Sequence, residues 1–370
     1  MQAVRWVGLV AGFLIALFTF LSVLRTLIVP RAYTSRLART VSRSIFNVAL
    51  VFVRRTTEYE RQDRVLALVA PLSLVGLLVV WLSLFLVGYT LMVWPFAGGP
   101  IRVPFLEAGS ALFTLGFVAG EDTGPSPVLF AAAATGPIII ALQIAYLPTL
   151  YAAFNRREVL VTLLETRAGA PAWGPELLAR HQLVGIMDSL PDFYADWERW
   201  AADVAESHST YPMLVWFRSA HALQSWVGAL LAVMDSAAMY LALAPSRAPS
   251  EARLCLRMGY TCLRRIAETV QISYDDDPKP DDPISLTFFE FEQGVTHLER
   301  VGFPMERGAE DAWPHFHGWR VNYEMLSYAL ADRTVAPPAL WSGERRHLAG
   351  PPIPPWRPPH RAPDDESEQA

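Results

Sequence analysis

Lysine is nearly absent from this sequence: it occurs once, at Lys279, so almost every basic residue is arginine. Charge of either sign is scarce, at 18% of residues, where an ordinary soluble domain carries about a quarter. The formal net charge is −5, so no global basic field exists to hold nucleic acid, and nucleic acid is not an expected partner. Cysteine occurs at Cys255 and Cys262 alone, seven residues apart and on one face of any helix they share. That spacing is neither C-x-x-C nor a metal-ligand pattern, and it reads as two small buried apolar side chains. Also missing are G-x-G-x-x-G and G-x-x-x-x-G-K-[ST], which argues against a Rossmann-type nucleotide-binding regulatory domain. G-x-S-x-G and H-E-x-x-H are missing too, and with them two common hydrolase signatures.

What the chain has in quantity is apolar sequence, 52% of its 370 residues. Trp6 to Leu24 runs without a charge, and about 20 apolar residues cross the hydrocarbon core of a bilayer. The run is too long for a signal-peptide core and no A-x-A-like site follows it, so a retained helix is expected. Val65 to Trp94 is a second run, closed by Trp94-Pro95-Phe96, and Val128 to Phe154 a third, followed at once by Asn155-Arg156-Arg157. Between the first two lie eight arginines, from Arg31 to Arg64, against Glu58, Glu60 and Asp63. Arginine excess in short loops marks the cytoplasmic side. The expected topology is a multi-pass cell-membrane protein with its amino terminus outside and its carboxy-terminal part in the cytoplasm. Within the basic loop, Ser44 to Val53 is apolar but too short to cross, and is expected in the membrane interface.

The outward segment from Ala97 to Pro127 contains an apolar stretch, Phe105 to Phe113, too short to span and too apolar for water. A re-entrant half-helix resolves that conflict, provided that protein or a water-filled cavity covers it. Thr114-Leu115-Gly116-Phe117 follows, then Val118 and, after Ala119-Gly120, Glu121-Asp122. Here the chain resembles the pore domain of the potassium-channel superfamily, built from outer helix, pore helix, T-V-G-Y-G-D filter and inner helix. The resemblance implies that Val65–Trp94, Phe105–Phe113 and Val128–Phe154 are those three helices. It further implies that Thr114, Leu115, Gly116 and Phe117 form an ion-selectivity filter whose carbonyls replace the water around a cation, with Glu121 and Asp122 at the outer mouth. Val118 stands where that pattern has its second glycine. The stretches IAYLPTLYAAFNRREVLVTLLETRAGAP (Ile144–Pro171) and DWERWAADVAESHSTYPMLVWFRSAHALQSWVGALLAVMD (Asp196–Asp235) are similar to a bacterial, two-pore-domain-type branch, extending the resemblance over residues 65–245.

In the inner helix, Gly136, Gln143 and Leu150 recur every seven residues and so share a face, with Ile140 and Leu147 beside them. This face is expected to line a pore or to carry its hinge. Gln143 either bonds a neighbouring helix or lines a cavity, Gly136-Pro137 is either a hinge or a packing kink, and Leu147 with Leu150 is a candidate apolar constriction.

Beyond Glu158, apolar residues at helical spacing predict helices over 176–190, 192–207, 212–243 and 250–273, in a domain of five to seven helices. Glu198, Glu206, His208 and His221 are near in sequence and carry acid-base or metal-ligand chemistry if brought together. His315-x-His317 offers two ligands without a third, and Asp275–Asp277 with Asp281-Asp282 lacks EF-hand spacing. The better reading of all three groups is a solvated or packed surface. Nine prolines between Pro337 and Ala370 and the acids Asp364 to Glu368 predict a disordered tail.

The fold class expected is an all-α membrane protein: three transmembrane helices with a re-entrant pore helix and filter-like loop, and an α-helical cytoplasmic domain. The divisions are 1–30, a first transmembrane helix; 31–64, a basic loop; 65–154, the pore domain; 155–335, the cytoplasmic helices; and 336–370, the tail. Function follows as a cation channel subunit, potassium-type, four copies around one pore because each chain supplies one pore loop. It requires no catalysis, cofactor or metal; its partners are a monovalent cation, membrane lipid and further copies of itself. The rivals are a non-conducting, membrane-anchored helical signalling or scaffold protein, favoured by Val118, and a membrane-bound hydrolase using the Glu198–His221 region.

Overall fold

The charge-free run after Arg5 forms one helix, α1 (Gln2–Leu27), the arginine-rich segment after it forms α2 (Arg36–Val53) and α3 (Tyr59–Ala67), and the second apolar run forms α4 (Val69–Val93). A short helix α5 (Arg102–Leu112) precedes the longest, α6 (Ser126–Ala168). Seven helices follow: α7 (Gly174–Val184), α8 (Leu190–Thr210), α9 (Trp226–Leu243), α10 (Ser250–Val270), α11 (Phe288–Arg300), α12 (Ala309–Arg320) and α13 (Glu324–Thr334). The computed structural model describes residues 2–29, 35–97, 99–118, 124–343 and 352–358; among them there are helices and no strands, apart from one isolated bridge between Ala339 and Ile353. Four helical stretches are long and apolar enough to cross a membrane: Gln2–Leu27, Tyr59–Val93, Ser126–Ala168 and Trp226–Leu243. The chain divides into two units, residues 1–56 with 64–153, and residues 57–63 with 154–370.

In the first unit α1 and α4 run antiparallel and meet at Gly12 and Gly88. A Cβ on Gly12 would stand 2.4 Å from the Gly88 carbonyl oxygen, so the absence of a side chain lets two apolar helices touch backbone to backbone. At one end of the pair Arg5 donates to the carbonyls of Ala97 (2.8 Å) and Gly99 (3.1 Å) and lies over the Trp94 ring. Further along, the Trp81 indole donates to the Ser22 hydroxyl at 3.0 Å, and Ser22 pairs with Ser35 at 2.8 Å. Ser35 also accepts from the Ala38 amide as the N-cap of α2, a bond that stabilises a helix by about 1 kcal/mol. The expected interfacial stretch Ser44–Val53 is therefore the second half of an 18-residue helix.

In the second unit α9 is the axis. Nearly all of its residues are buried, with α7, α8, α10, α12 and α13 packed around it, so the fourth apolar helix is covered by protein on every side. The helix expected over 212–243 is interrupted, because Pro212 opens a single 3₁₀ turn and a new helix begins only where Ser225 caps the Gly228 amide. The helix expected over 176–190 stops at Val184, where Gly185 takes a left-handed φ of 71°. Pro191, which falls between the helices expected over 176–190 and 192–207, sits in the first turn of α8, where its missing N–H costs nothing.

The tail departs from expectation over the residues described. Ala336, Ala339, Trp341 and Ser342 are buried, Trp341 packing edge-on against Trp173 and close to Phe291 and Phe316. Further on, Arg357 grips Glu176 with two bonds of 2.7 Å, and Arg180 donates to the Trp356 carbonyl at 2.7 Å. Buried aromatic area and a buried carboxylate hold this proline-rich chain in place; composition registers neither.

Candidate functional site

α5 and the turn after it form the centre of the candidate site. Pro104, Glu107, Ala108, Ser110 and Leu112 are its buried positions, and its Gly109 faces Leu86 of α4. Ser110 anchors the following turn twice: its carbonyl accepts from the Leu115 amide at 2.8 Å and its hydroxyl from the Val118 amide at 3.2 Å. Thr114 and Gly116 take left-handed φ of 53° and 68° with Leu115 between them, an alternation that costs Thr114 steric strain and Gly116 none. Leu115 and Phe117 are 60% and 62% exposed. Among the described residues, no hydrogen bond is accepted by the carbonyls of Thr114, Leu115, Gly116 or Phe117.

α6 passes the carboxyl end of α5 at close range. A Cβ on Gly136 would lie 1.9 Å from the Leu112 carbonyl oxygen, so no residue but glycine fits there without displacing one helix. One residue earlier, Thr135 bonds the Tyr89 hydroxyl of α4 at 2.7 Å. Gly136 thus lies beside the filter-like turn. Gln143 is 6% exposed, and its Oε1 has no hydrogen-bond partner among the described residues. Leu147 is half-buried and Leu150 fully buried. The seven-residue stripe Gly136–Gln143–Leu150 is accordingly a buried face of α6, whereas Ile140 and Ile144 are exposed. Glu121 and Asp122 lie outside the described residues. No sequence motif singles out Ser110 as the clamp of the turn, nor Glu107 as a buried acid on α5; helical register alone marks their common face.

The groups with tempting acid-base chemistry in the second unit do not form one site. His208 is fully buried on α8, while Glu206 and His221 are exposed. His317 bonds the Pro280 carbonyl and His315 is exposed. Among the described residues there is no group of three or more metal-ligating side chains. Both cysteines are buried, and burial pushes their thiols up, away from reactivity.

What this unit contains instead is buried ionic structure. Arg157, fully enclosed, reaches the Leu214 and Phe217 carbonyls at 2.9 and 2.8 Å, His208 at 3.1 Å and Glu158 at 2.7 Å. Arg218, next along that same loop, bonds Asp63, the Tyr59 hydroxyl and the carbonyls of Thr334 and Val335. Residues 57–63, expected in the basic loop, therefore belong to the second unit. Glu176 is the third cluster: burial pushes its carboxyl up, but hydrogen bonds from His297, Arg357 and Arg180 outweigh that and hold it at about 2. In the fourth, burial raises Asp235 to about 6 even with Arg320 at 2.5 Å opposing the rise.

Comparison with protein-family models, with curated proteins and with solved structures finds no match to this chain.

Proposed function

We propose that this chain is one subunit of a membrane cation channel, potassium-type, in which four copies surround a pore lined at its narrowest by Thr114, Leu115, Gly116 and Phe117. The observation that carries the reading is the turn after α5: alternating backbone hand at Thr114 and Gly116, carbonyls that accept no hydrogen bond among the described residues, and apolar side chains open in the single chain. Unpaired carbonyls in an apolar setting are costly unless a cation or water meets them, and a symmetric ring of such turns supplies the coordination a dehydrated cation requires.

In this reading the pore-facing stripe of α6 is Ile140 and Ile144. A side chain on a symmetry axis has to be open in one protomer, and Gly136, Gln143 and Leu150 are not. Thr135, held by Tyr89, marks the flank of α6 toward α4, and the helical wheel puts Ile140 and Ile144 on the opposite flank. Gly136 serves the close approach of α6 to α5. Glu121 and Asp122 complete the proposal as an acidic ring that concentrates cations at the outer mouth.

The test is flux from liposomes containing the purified protein, under potassium, sodium and ion-free gradients. Potassium flux is expected, with tetramers in mild detergent, and Gly116→Val is expected to abolish flux while leaving expression and assembly unchanged. A tetramer that passes no cation overturns the channel reading and favours the non-conducting scaffold. A monodisperse monomer in detergent and in membranes overturns both the ring and the pore.

A further inference from the structure

The charge of the first unit does not balance. No acidic residue precedes Glu58, and the 57 residues before it contain eight arginines. Among the described residues of this unit Glu107 is the one acid, and it is buried on α5. Arg25, Arg36, Arg43, Arg54 and Arg55 are all exposed, and among the described residues none forms an ion pair.

Their depth can be measured along two helices. On α4, Gly76 lies 18 residues before Trp94, about 27 Å at the rise of a helix, and a Cβ on Gly76 would meet the Ile45 side chain of α2 at 2.9 Å. On α1, Arg25 lies 19 residues after Trp6, about 28 Å, and Trp6 packs on Phe96 beside Trp94. Both spans match the roughly 30 Å of a hydrocarbon core, so with Trp6 and Trp94 at one headgroup level, Arg25 and the turn of α2 around Ile45 lie at the other, and the start of α2, tied through Ser35 and Ser22 to Trp81, lies somewhat nearer the core. The Ser22–Ser35 bond brings the last turns of α1 to the start of α2, so that Arg25 and Arg36 flank the same junction. The open face of α2 reads Arg36, Thr40, Arg43 and Asn47, then Val48, Val51 and Phe52: basic in its first half, apolar in its second.

We propose that α2, with Arg25, is a docking surface for anionic phospholipid, its arginines on the headgroup phosphates and Val48, Val51 and Phe52 in the acyl boundary. Arginine suits the task because its planar fork binds phosphate oxygens in pairs. Clustered basic residues beside a membrane helix recruit anionic lipid, each adding roughly fivefold to the partitioning, and salt weakens the attraction. The inference rests on the membrane-spanning reading of α1 and α4; conduction is irrelevant to it.

The test uses full-length protein equilibrated with phosphatidylcholine containing phosphatidylglycerol, with retained lipids counted by native mass spectrometry after detergent exchange. Wild type is expected to retain phosphatidylglycerol several-fold over phosphatidylcholine, and to lose that preference as salt rises. The variant Arg25→Gln/Arg36→Gln/Arg43→Gln is expected to lose it at low salt, with helix content and oligomeric state unchanged. The matching lysine variant, which keeps the charge, is expected to hold part of it and serves as the control for folding. Equal retention of both lipids by wild type, or full retention by a folded glutamine variant, overturns the proposal. Neutralising Asp364, Asp365, Glu366 and Glu368 is expected to change nothing; a rise in retention would name the chain's own acidic end as the occupant and overturn the lipid assignment. No arm involves ion flux, so a protein that fails to conduct can still pass.

Discussion

The guanidinium of Arg157 lies 3.1 Å from Nε2 of His208, and neither side chain reaches solvent. Arginine has no acceptor, so Nε2 must carry the lone pair and the ring is neutral with its proton on Nδ1. Around the ring stand the Ser207 hydroxyl and the Trp226 indole from α9. Burial first, and the Arg157 charge second, hold the His208 pKa well below the ordinary histidine value of 6.5.

Acid should therefore unfold the second unit earlier than its carboxylates alone predict. Below pH 6.5 the unfolded chain takes up a proton at His208 that the folded one refuses, so stability falls as pH falls through that window. Thermal melting of the full-length protein between pH 7.5 and 5 should show the decline. His208→Gln, which can still accept from Arg157, should flatten it; an unchanged slope in that variant would remove His208 as the cause.

Glu176 works in the opposite sense and in a lower window. Its carboxyl is held at about 2, so the stability it contributes is complete above the ordinary carboxylate value of 4.5 and is lost as pH drops from there toward 2. Glu176→Gln should free the segment around Arg357, read as faster proteolysis near Trp356 in a chain whose helix content is unaltered.

Gly136→Ala should be more damaging than any exposed alanine substitution in α6. The new methyl would sit 1.9 Å from the Leu112 carbonyl, forcing α5 and α6 apart at a cost of about 1–3 kcal/mol or more. A lower Tm, together with altered protection of the Ser110–Val118 turn in hydrogen exchange, is the expected result; a Tm equal to wild type would deny the close approach.

Asp63 and Arg218 are each nine-tenths buried, and removing one partner leaves the other charge enclosed. Asp63→Asn should lower stability by about 3–5 kcal/mol, and Arg218→Met in the same chain should restore part of the loss. Chemical denaturation of the two single variants and the double variant measures the coupling.

The helical class, the apolar spans and the kinds of residue in the turn after α5 were legible in the sequence, because periodicity and run length are local properties written into consecutive residues. The sequence also placed Cys255 and Cys262 correctly in the interior. Which face each helix covers, and with what, depended on the packing of distant segments. The repeat of Gly136, Gln143 and Leu150 identified one face of α6 but could not tell a buried face from an open one, since both have the same period. Asp63 and Arg218 are 155 residues apart, and no local signal assigns residues 57–63 to the second unit. Tail residues rich in proline looked unable to fold because composition counts apolar area without asking whether a neighbour offers a slot for Trp341 or a buried carboxylate for Arg357. Complementarity of that kind belongs to pairs of surfaces, and a single sequence lists only one surface at a time.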